Sequence, residues 1–369
     1  MSKSPYSSLP QRAFWRGGVA GAPAFPPDLY RPKFPVTTDT RVFTAGSCFA
    51  QHVGAAMKAA GIKVIDAEPA RRGLPPETAS RFGYGVYSAR FGNLYTVKQF
   101  RQLVDEVNGA QPALPVWERD GRFWDAQRPG VEPEGLASPD LVQEMREQHL
   151  AAVAEALSQA DMIVFTLGLT EAWEHRETGT VYPTAPGTVA GDYDPDTFRF
   201  VNYGVADILD DFTELEEALS EINPNLRWLL TVSPVPLAAT ASDQHVLPAT
   251  IRSKSVLRTV CDMLCDSSDR IDYFPSYELV TSPAHRTSPF ADDLRSVRPE
   301  IVAQIMQTFL QAHGLCDKDV TSEERAPNAE AADEAICEDI LLDAFAPEAR
   351  QDGRSPEAQR DGNSPDVTK

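Results

Sequence analysis

The sequence predicts an α/β fold, a three-layer α/β/α sandwich around a parallel sheet. Three observations carry that expectation. Apolar stretches of strand length alternate with stretches of helical period over residues 41–313. The stretches at 162–167 and 226–232 are close to continuously apolar, as strands covered on both faces must be. Small or polar residues follow the strands, and the carboxyl ends of parallel strands are where such folds build their sites.

The elements follow in order. Residues 1–38 are rich in Pro and Gly, with Phe14, Trp15, Phe25, Tyr30 and Phe34 interleaved. So many aromatics suit an extended N-terminal arm packed on the domain. Residues 41–45 form a first strand, 50–60 a helix and 63–65 a short strand. A helix is expected at 97–107. Another covers 139–158, with apolar spacing at Leu141, Met145 and Leu150. A strand at 162–167 leads to an amphipathic helix at 212–222 carrying Leu215, Leu219 and Ile222. A strand at 226–232, a helix at 253–264, a strand at 271–274 and a helix at 299–313 complete the domain, 39–315.

The remaining segment, 316–369, reads as a disordered acidic tail, with fifteen acidic and six basic residues from Asp317 to Lys369. Within it Ile336, Ile340, Leu341, Leu342 and Phe345 suit a short amphipathic helix over 336–345. That helix is a candidate docking segment for a protein partner.

The chain has 369 residues and a formal net charge of -20, which argues against nucleic acid or an anionic membrane surface as partner. No apolar run has the roughly 18 residues of a membrane span, so no membrane insertion is expected. The N-terminus lacks the pattern of a signal peptide, and a cytoplasmic location follows by default. Five Cys at irregular spacing give neither a disulfide framework nor a zinc pattern. No phosphate-binding motif or metal-ligand cluster is found, and no cofactor is expected.

The first strand ends in Phe43-Thr44-Ala45-Gly46-Ser47-Cys48-Phe49-Ala50. A hydroxyl on a tight strand-to-helix turn is exposed to substrate and lies beside backbone N–H groups able to stabilise an oxyanion. The same residues also fit a buried strand with a small-residue turn. Later strands end in Gly168-Leu169-Thr170-Glu171, Ser233-Pro234-Val235-Pro236 and Pro275-Ser276-Tyr277-Glu278, which converge on the same rim.

Gly46-Ser47-Cys48-Phe49-Ala50 resembles the signature of the GSCFA family. Phe91-Gly92-Asn93-Leu94-Tyr95, Thr166-Leu167-Gly168, Glu171-Ala172-Trp173, Glu177-Thr178-Gly179, Thr231-Val232-Ser233-Pro234-Val235, Ser253-Lys254 and Tyr273-Phe274-Pro275-Ser276-Tyr277-Glu278 are similar to it as well. The resemblance runs from about 41 to 310. It implies kinship with SGNH-type hydrolases and their flavodoxin-like fold. It also implies a serine esterase or O-acyltransferase, acting on a small-molecule or glycan acyl ester such as an acylated carbohydrate or glycoconjugate.

By position, the resemblance makes Ser47 the nucleophile. Gly92 and Asn93 then lie near the second block of the superfamily. Gly168 and Thr170 belong to the third, with Thr170 standing where an Asn amide normally donates to the oxyanion. The last block, Asp-x-x-His, is where the chain departs from the pattern. Counting three on from Asp293 gives Ser296, and no His lies between His285 and His313.

A serine nucleophile needs a base within reach. His245 follows the strand at 226–232 and lies on the carboxyl rim, which favours it over His52 on the first helix and His285 in a Pro-bounded loop. Lys254 is a further base if desolvated. His149, His175 and His313 read as surface positions. Cys48 adjoins Ser47 at a helix N-terminus and is an alternative nucleophile or a small buried residue. Glu171 either orients the base or pairs with Arg81, Arg90 or Arg295. The missing His also admits a non-catalytic ligand-binding or interaction protein that retains an SGNH-like pocket.

Overall fold

The structure is a computed structural model and describes residues 4–315 together with Leu342 and Phe345. The acidic tail and the helix expected at 336–345 otherwise lie outside the described residues. In chain order the first elements are β1 (Arg41–Gly46), α1 (Phe49–Ala59), β2 (Lys63–Val64), α2 (Pro76–Arg81) and α3 (Val97–Val107). Next come β3 (Val116–Arg119), β4 (Arg122–Asp125), α4 (Pro139–Gln159), β5 (Met162–Leu167), β6 (Glu171–His175), β7 (Val181–Tyr182) and β8 (Phe198–Asn202). The last are α5 (Val205–Ile222), β9 (Arg227–Val232), α6 (Val246–Ser267), β10 (Ile271–Tyr273), α7 (Ser276–Thr281) and α8 (Pro299–Ala312).

Five parallel strands form the central sheet in the order β10-β9-β5-β1-β2. Numbered among themselves they read 2-1-3-4-5, the flavodoxin-like arrangement. Side chains alternate across the sheet. Phe43, Ile163, Phe165 and Leu230 pack with α3, α4, α5 and α6. Val42, Met162, Val164 and Leu229 pack with α1, α7 and α8 on the other face. The central strand β5 is buried at every position, which explains its unbroken apolar run.

The arm packs only in part. Tyr30, Phe34 and Val36 are buried beside α8, whereas Phe14 and Trp15 are exposed by 42% and 69%. Tyr30 Oη donates to Asp272 Oδ2 at 2.9 Å, and the Val36 N–H donates to His313 Nδ1 at 3.2 Å, so two side chains of the core domain hold the arm.

Two further sheets are present. β3 and β4 form a hairpin through Asp120 and Gly121, both with positive φ. β7, β6 and β8 form a small antiparallel sheet that projects from the carboxyl side of β5. Two helices are longer than expected, because α5 starts at Val205 and α6 at Val246. His245 is therefore a helix N-cap rather than a loop residue.

Candidate functional site

Ser47 follows β1 directly, and its position is fixed by backbone. Its N–H donates to the Thr166 carbonyl at 3.0 Å, continuing the β1–β5 ladder by one residue. Gly46 has a φ of 135°, and a Cβ there would lie 2.4 Å from Thr166 O. Only glycine allows the two strands to approach this closely at the turn. Ser47 is buried, and among the described residues its Oγ has no hydrogen-bond partner. Such a hydroxyl is costly to keep in a core unless it has a task.

Segment 88–94 runs along β1. The Ser88 N–H donates to Thr44 O at 3.2 Å and the Leu94 N–H to Gly46 O at 3.0 Å. Asn93 is thereby fixed beside the end of β1. Its Oδ1 accepts from Tyr87 Oη at 2.6 Å, and Tyr87 Oη accepts from Gln51 Nε2 of α1 at 3.3 Å. A buried ionic cluster anchors the segment from behind. Glu68 Oε2 accepts the Arg90 N–H at 2.6 Å and His149 Nδ1–H at 2.7 Å. Arg128 donates to Arg90 O at 3.0 Å.

His149 is fully buried, contrary to the surface position expected for it. Burial, aided by the Arg128 guanidinium, pulls its pKa to about 3 and keeps it neutral. Burial also opposes the Glu68 carboxylate, but His149 and Arg128 hold it at about 2.

The end of β5 meets the end of β1 and the segment that follows Asn93. The Gly168 N–H donates to Tyr95 O at 3.0 Å. A Cβ on Gly168 would lie 3.0 Å from both Ser47 Cβ and Tyr95 Cδ1. From the far side, α6 clasps this turn with three consecutive residues. Arg252 donates to Thr170 Oγ1 at 3.1 Å, Ser253 Oγ accepts the Thr170 N–H at 3.0 Å, and Lys254 Nζ donates to Gly168 O at 2.6 Å. Lys254 is almost wholly buried. Gly168 therefore neighbours the serine and accepts the lysine's hydrogen bond.

Several expected donors are committed elsewhere. The Ser47 N–H serves the sheet, donating to Thr166 O. The Thr170 hydroxyl donates to Asn202 Oδ1 at 2.7 Å, so Thr170 has both its protons engaged away from Ser47. Asn93 and Gly92, which has a φ of 71°, remain at the end of β1.

The expected bases separate. His245 is exposed, and its Nδ1 caps α6 by accepting the Leu247 N–H at 3.1 Å. It precedes Lys254 by nine residues, which is about 13 Å along the helix. His285 donates from Nε2 to Leu279 O at 2.7 Å and packs on Phe25 of the arm. His52 lies on α1 with its ring against Phe49, and Cys48 is the half-buried N-cap of the same helix.

Asp293 accepts from the backbone of Arg295 and Ser296 at 2.9 Å and from Ser296 Oγ at 2.6 Å. Burial raises its pKa, but those bonds, which close its own turn, together with Arg295 lower it overall. The residue standing at the missing histidine position thus bonds the Asp itself. Glu171 Oε1 accepts from Thr240 Oγ1 at 2.7 Å, and burial raises its pKa. Of the arginines expected to pair with it, Arg81 meets Glu134 and Arg90 meets Glu132.

Two features escaped the sequence reading. Glu174, buried on β6, accepts from Lys98 at 2.8 Å, Tyr203 at 2.7 Å and Arg199 at 2.7 Å, tying the small sheet to α3. On the opposite face of that sheet, Trp173 packs edge-on with Tyr193 and Phe200. Among the described residues no group of three or more His, Cys, Asp or Glu is arranged to hold a metal, and no helix is long and apolar enough to cross a membrane.

The family model described as GSCFA family matches residues 41–309, spanning the β1 and β5 ends and the 88–94 segment between them. The chain belongs to the GSCFA family. No curated protein matches it. Among solved structures, one described as a GDSL-like lipase from Parabacteroides merdae ATCC 43184 is similar at 15% identity. It covers 77% of this GSCFA chain and 100% of its own, with a TM-score of 0.32.

Proposed function

We propose that the protein is an acyl esterase or O-acyltransferase with Ser47 as nucleophile and Lys254 as its base. One observation carries this reading: Gly168 abuts Ser47 Cβ and accepts a hydrogen bond from Lys254 Nζ. A buried amine and an unpartnered buried hydroxyl share one residue as neighbour. The role requires the neutral amine.

In the first half-reaction Lys254 takes the Ser47 proton as Oγ attacks an ester carbonyl. The Asn93 amide, with the Gly92 N–H, receives the oxyanion. Lys254 then returns the proton to the departing alkoxide, leaving an acyl-serine. Water, or an acceptor hydroxyl in a transferase, completes the cycle through the same lysine.

An acylated carbohydrate is the substrate class the site suits best. β6 starts three residues after Gly168, and its Trp173 packs with Phe200 of β8 and with the exposed Tyr193. An aromatic face accepts the C–H side of a sugar ring.

The Asp293–Ser296 pair favours a second reading, a ligand-binding protein without catalysis. Fluorophosphonate labelling separates the two. Labelling that is lost in Ser47→Ala and in Lys254→Met supports the enzyme. An unlabelled wild type that binds acylated sugars supports the binding protein.

A further inference from the structure

We propose that the basic aromatic segment of the arm, from Tyr6 to Arg16, is the docking surface for the chain's own acidic segment 330–345. Four large apolar side chains of the arm stand in water within ten residues. Tyr6 is exposed by 66% and Leu9 by 43%, beside the exposed Phe14 and Trp15. The other exposed large hydrophobics among the described residues are spread from Leu29 to Leu294. Single exposed apolar residues are ordinary, but a cluster of them marks a surface that another element covers.

Charge identifies the covering element. Residues 1–27 carry Lys3, Arg12 and Arg16 and no Asp or Glu, in a chain whose net charge is -20. Arg12 and Arg16 are exposed on either side of Phe14 and Trp15, and Arg12 meets Asp28 only loosely, at 3.8 Å. Residues 326–349 have the converse pattern. They hold seven acidic residues and no Lys or Arg, interleaved with Ile336, Ile340, Leu341, Leu342 and Phe345. One segment is apolar and basic and the other apolar and acidic, so each complements the other in both respects. Leu342 and Phe345 are half-buried, so neither side chain stands wholly in water.

Connectivity brings the two segments within reach. The Val36 N–H donates to His313 Nδ1, so both branches of the chain can be measured from one point. Trp15 lies twenty-one residues before Val36, and Leu341 lies twenty-eight residues after His313. Extended reach grows with residue number, so the longer branch extends at least as far as the shorter one. Tethering of this kind gives an effective concentration on the order of 1 mM, which fills a contact too weak to hold separate chains.

The test follows acrylamide quenching of Trp15 in the full chain, taken as the difference between wild type and Trp15→Phe. Trp117, Trp124 and Trp228 are buried and Trp173 is half-buried, so Trp15 dominates the accessible emission. Leu341→Asp with Phe345→Asp is expected to raise the Trp15 quenching constant about threefold, as a filled contact empties. Arg12→Glu with Arg16→Glu is expected to raise it about twofold, and adding Glu338→Lys and Asp339→Lys to that variant is expected to restore at least about half of the shielding. The arm side chains changed here are exposed, and the tail lies beyond the domain, so the fold is not at stake.

A Trp15 quenching constant that is equal in wild type and in Leu341→Asp with Phe345→Asp overturns the proposal, as does a charge exchange that restores nothing. Shielding that disappears on dilution assigns the arm to the tail of a second copy and overturns the intramolecular contact, which is independent of concentration. Wild type whose Trp15 is shielded only when vesicles of phosphatidylserine and phosphatidylcholine are added overturns it in favour of a lipid surface.

Discussion

Lys254 Nζ donates to the Gly168 carbonyl at 2.6 Å, and a Cβ on Gly168 would lie 3.0 Å from Ser47 Cβ. If the amine is the base, replacing it removes proton transfer along with the hydrogen bond to Gly168 O. Methionine has nearly the volume of lysine and suits a buried position. Lys254→Met is expected to lose about 100-fold or more in hydrolysis of an activated ester, while the unmet carbonyl costs about 1–3 kcal/mol of stability. Stopped assays with p-nitrophenyl acetate decide it. Activity within threefold of wild type would remove Lys254 from the mechanism.

Gly46 and Gly168 separate stability from chemistry. At Gly46 an alanine Cβ meets the Thr166 backbone at 2.4 Å under a φ of 135°. Strand backbone cannot yield as a flexible side chain does. Gly46→Ala is expected to cost roughly 3 kcal/mol or more in stability. At Gly168 the contacts are two side chains at 3.0 Å, Ser47 and Tyr95, and φ is ordinary. Gly168→Ala is expected to stay folded but to displace Ser47 and abolish labelling. Chemical denaturation and labelling run on both proteins check the split. Loss of activity at Gly168 together with equal loss of stability would contradict it.

The central sheet was legible because burial on both faces writes itself as unbroken apolar runs, as at 162–167. The β3–β4 hairpin was legible as well, in Arg119-Asp120-Gly121-Arg122 between aromatic residues, and went unread. β6 and β8 were hidden for a physical reason. Their inner face buries Glu174 among Lys98, Arg199 and Tyr203, so charge occupies positions where alternation predicts apolar side chains. At the site, Ser47, Asn93, Gly168 and Lys254 each stood in a quoted motif. Their meeting depends on the register of β1 against β5 and on the length of α6, neither of which has a local signature. His245 drew attention as a loop residue because the first two turns of α6 carry Pro248 and Thr250, poor helix formers away from an N-terminus.

Trp173 bears on the substrate. Its ring meets Tyr193 and Phe200 on the face of the small sheet opposite Glu174. Trp173→Ala is expected to raise KM for an acetylated oligosaccharide about fivefold to tenfold, the worth of one aromatic contact. Turnover of p-nitrophenyl acetate, which has no sugar ring to stack, should be unchanged. Steady-state kinetics with both substrates test this. Equal effects on the two would point to a general loss of structure instead.

The arm is held by a neutral imidazole, which makes its attachment sensitive to acid. His313 Nδ1 accepts the Val36 N–H at 3.2 Å, and its Nε2 lies 3.5 Å from Tyr30 Oη, which itself bonds Asp272. Burial pulls the His313 pKa from 6.5 to about 4. The unfolded chain therefore binds a proton at this residue below pH 6.5, while the native state refuses it until about pH 4. Stability is fully present above the unfolded value and is lost as pH falls through that window. Protonation of Nδ1 also removes the acceptor for Val36, so the arm and the domain part together. In His313→Gln this contribution is absent at every pH. Urea midpoints of wild type and His313→Gln should differ most near pH 7.5 and converge toward pH 4. Curves that run parallel across the range would show that His313 carries no proton linkage.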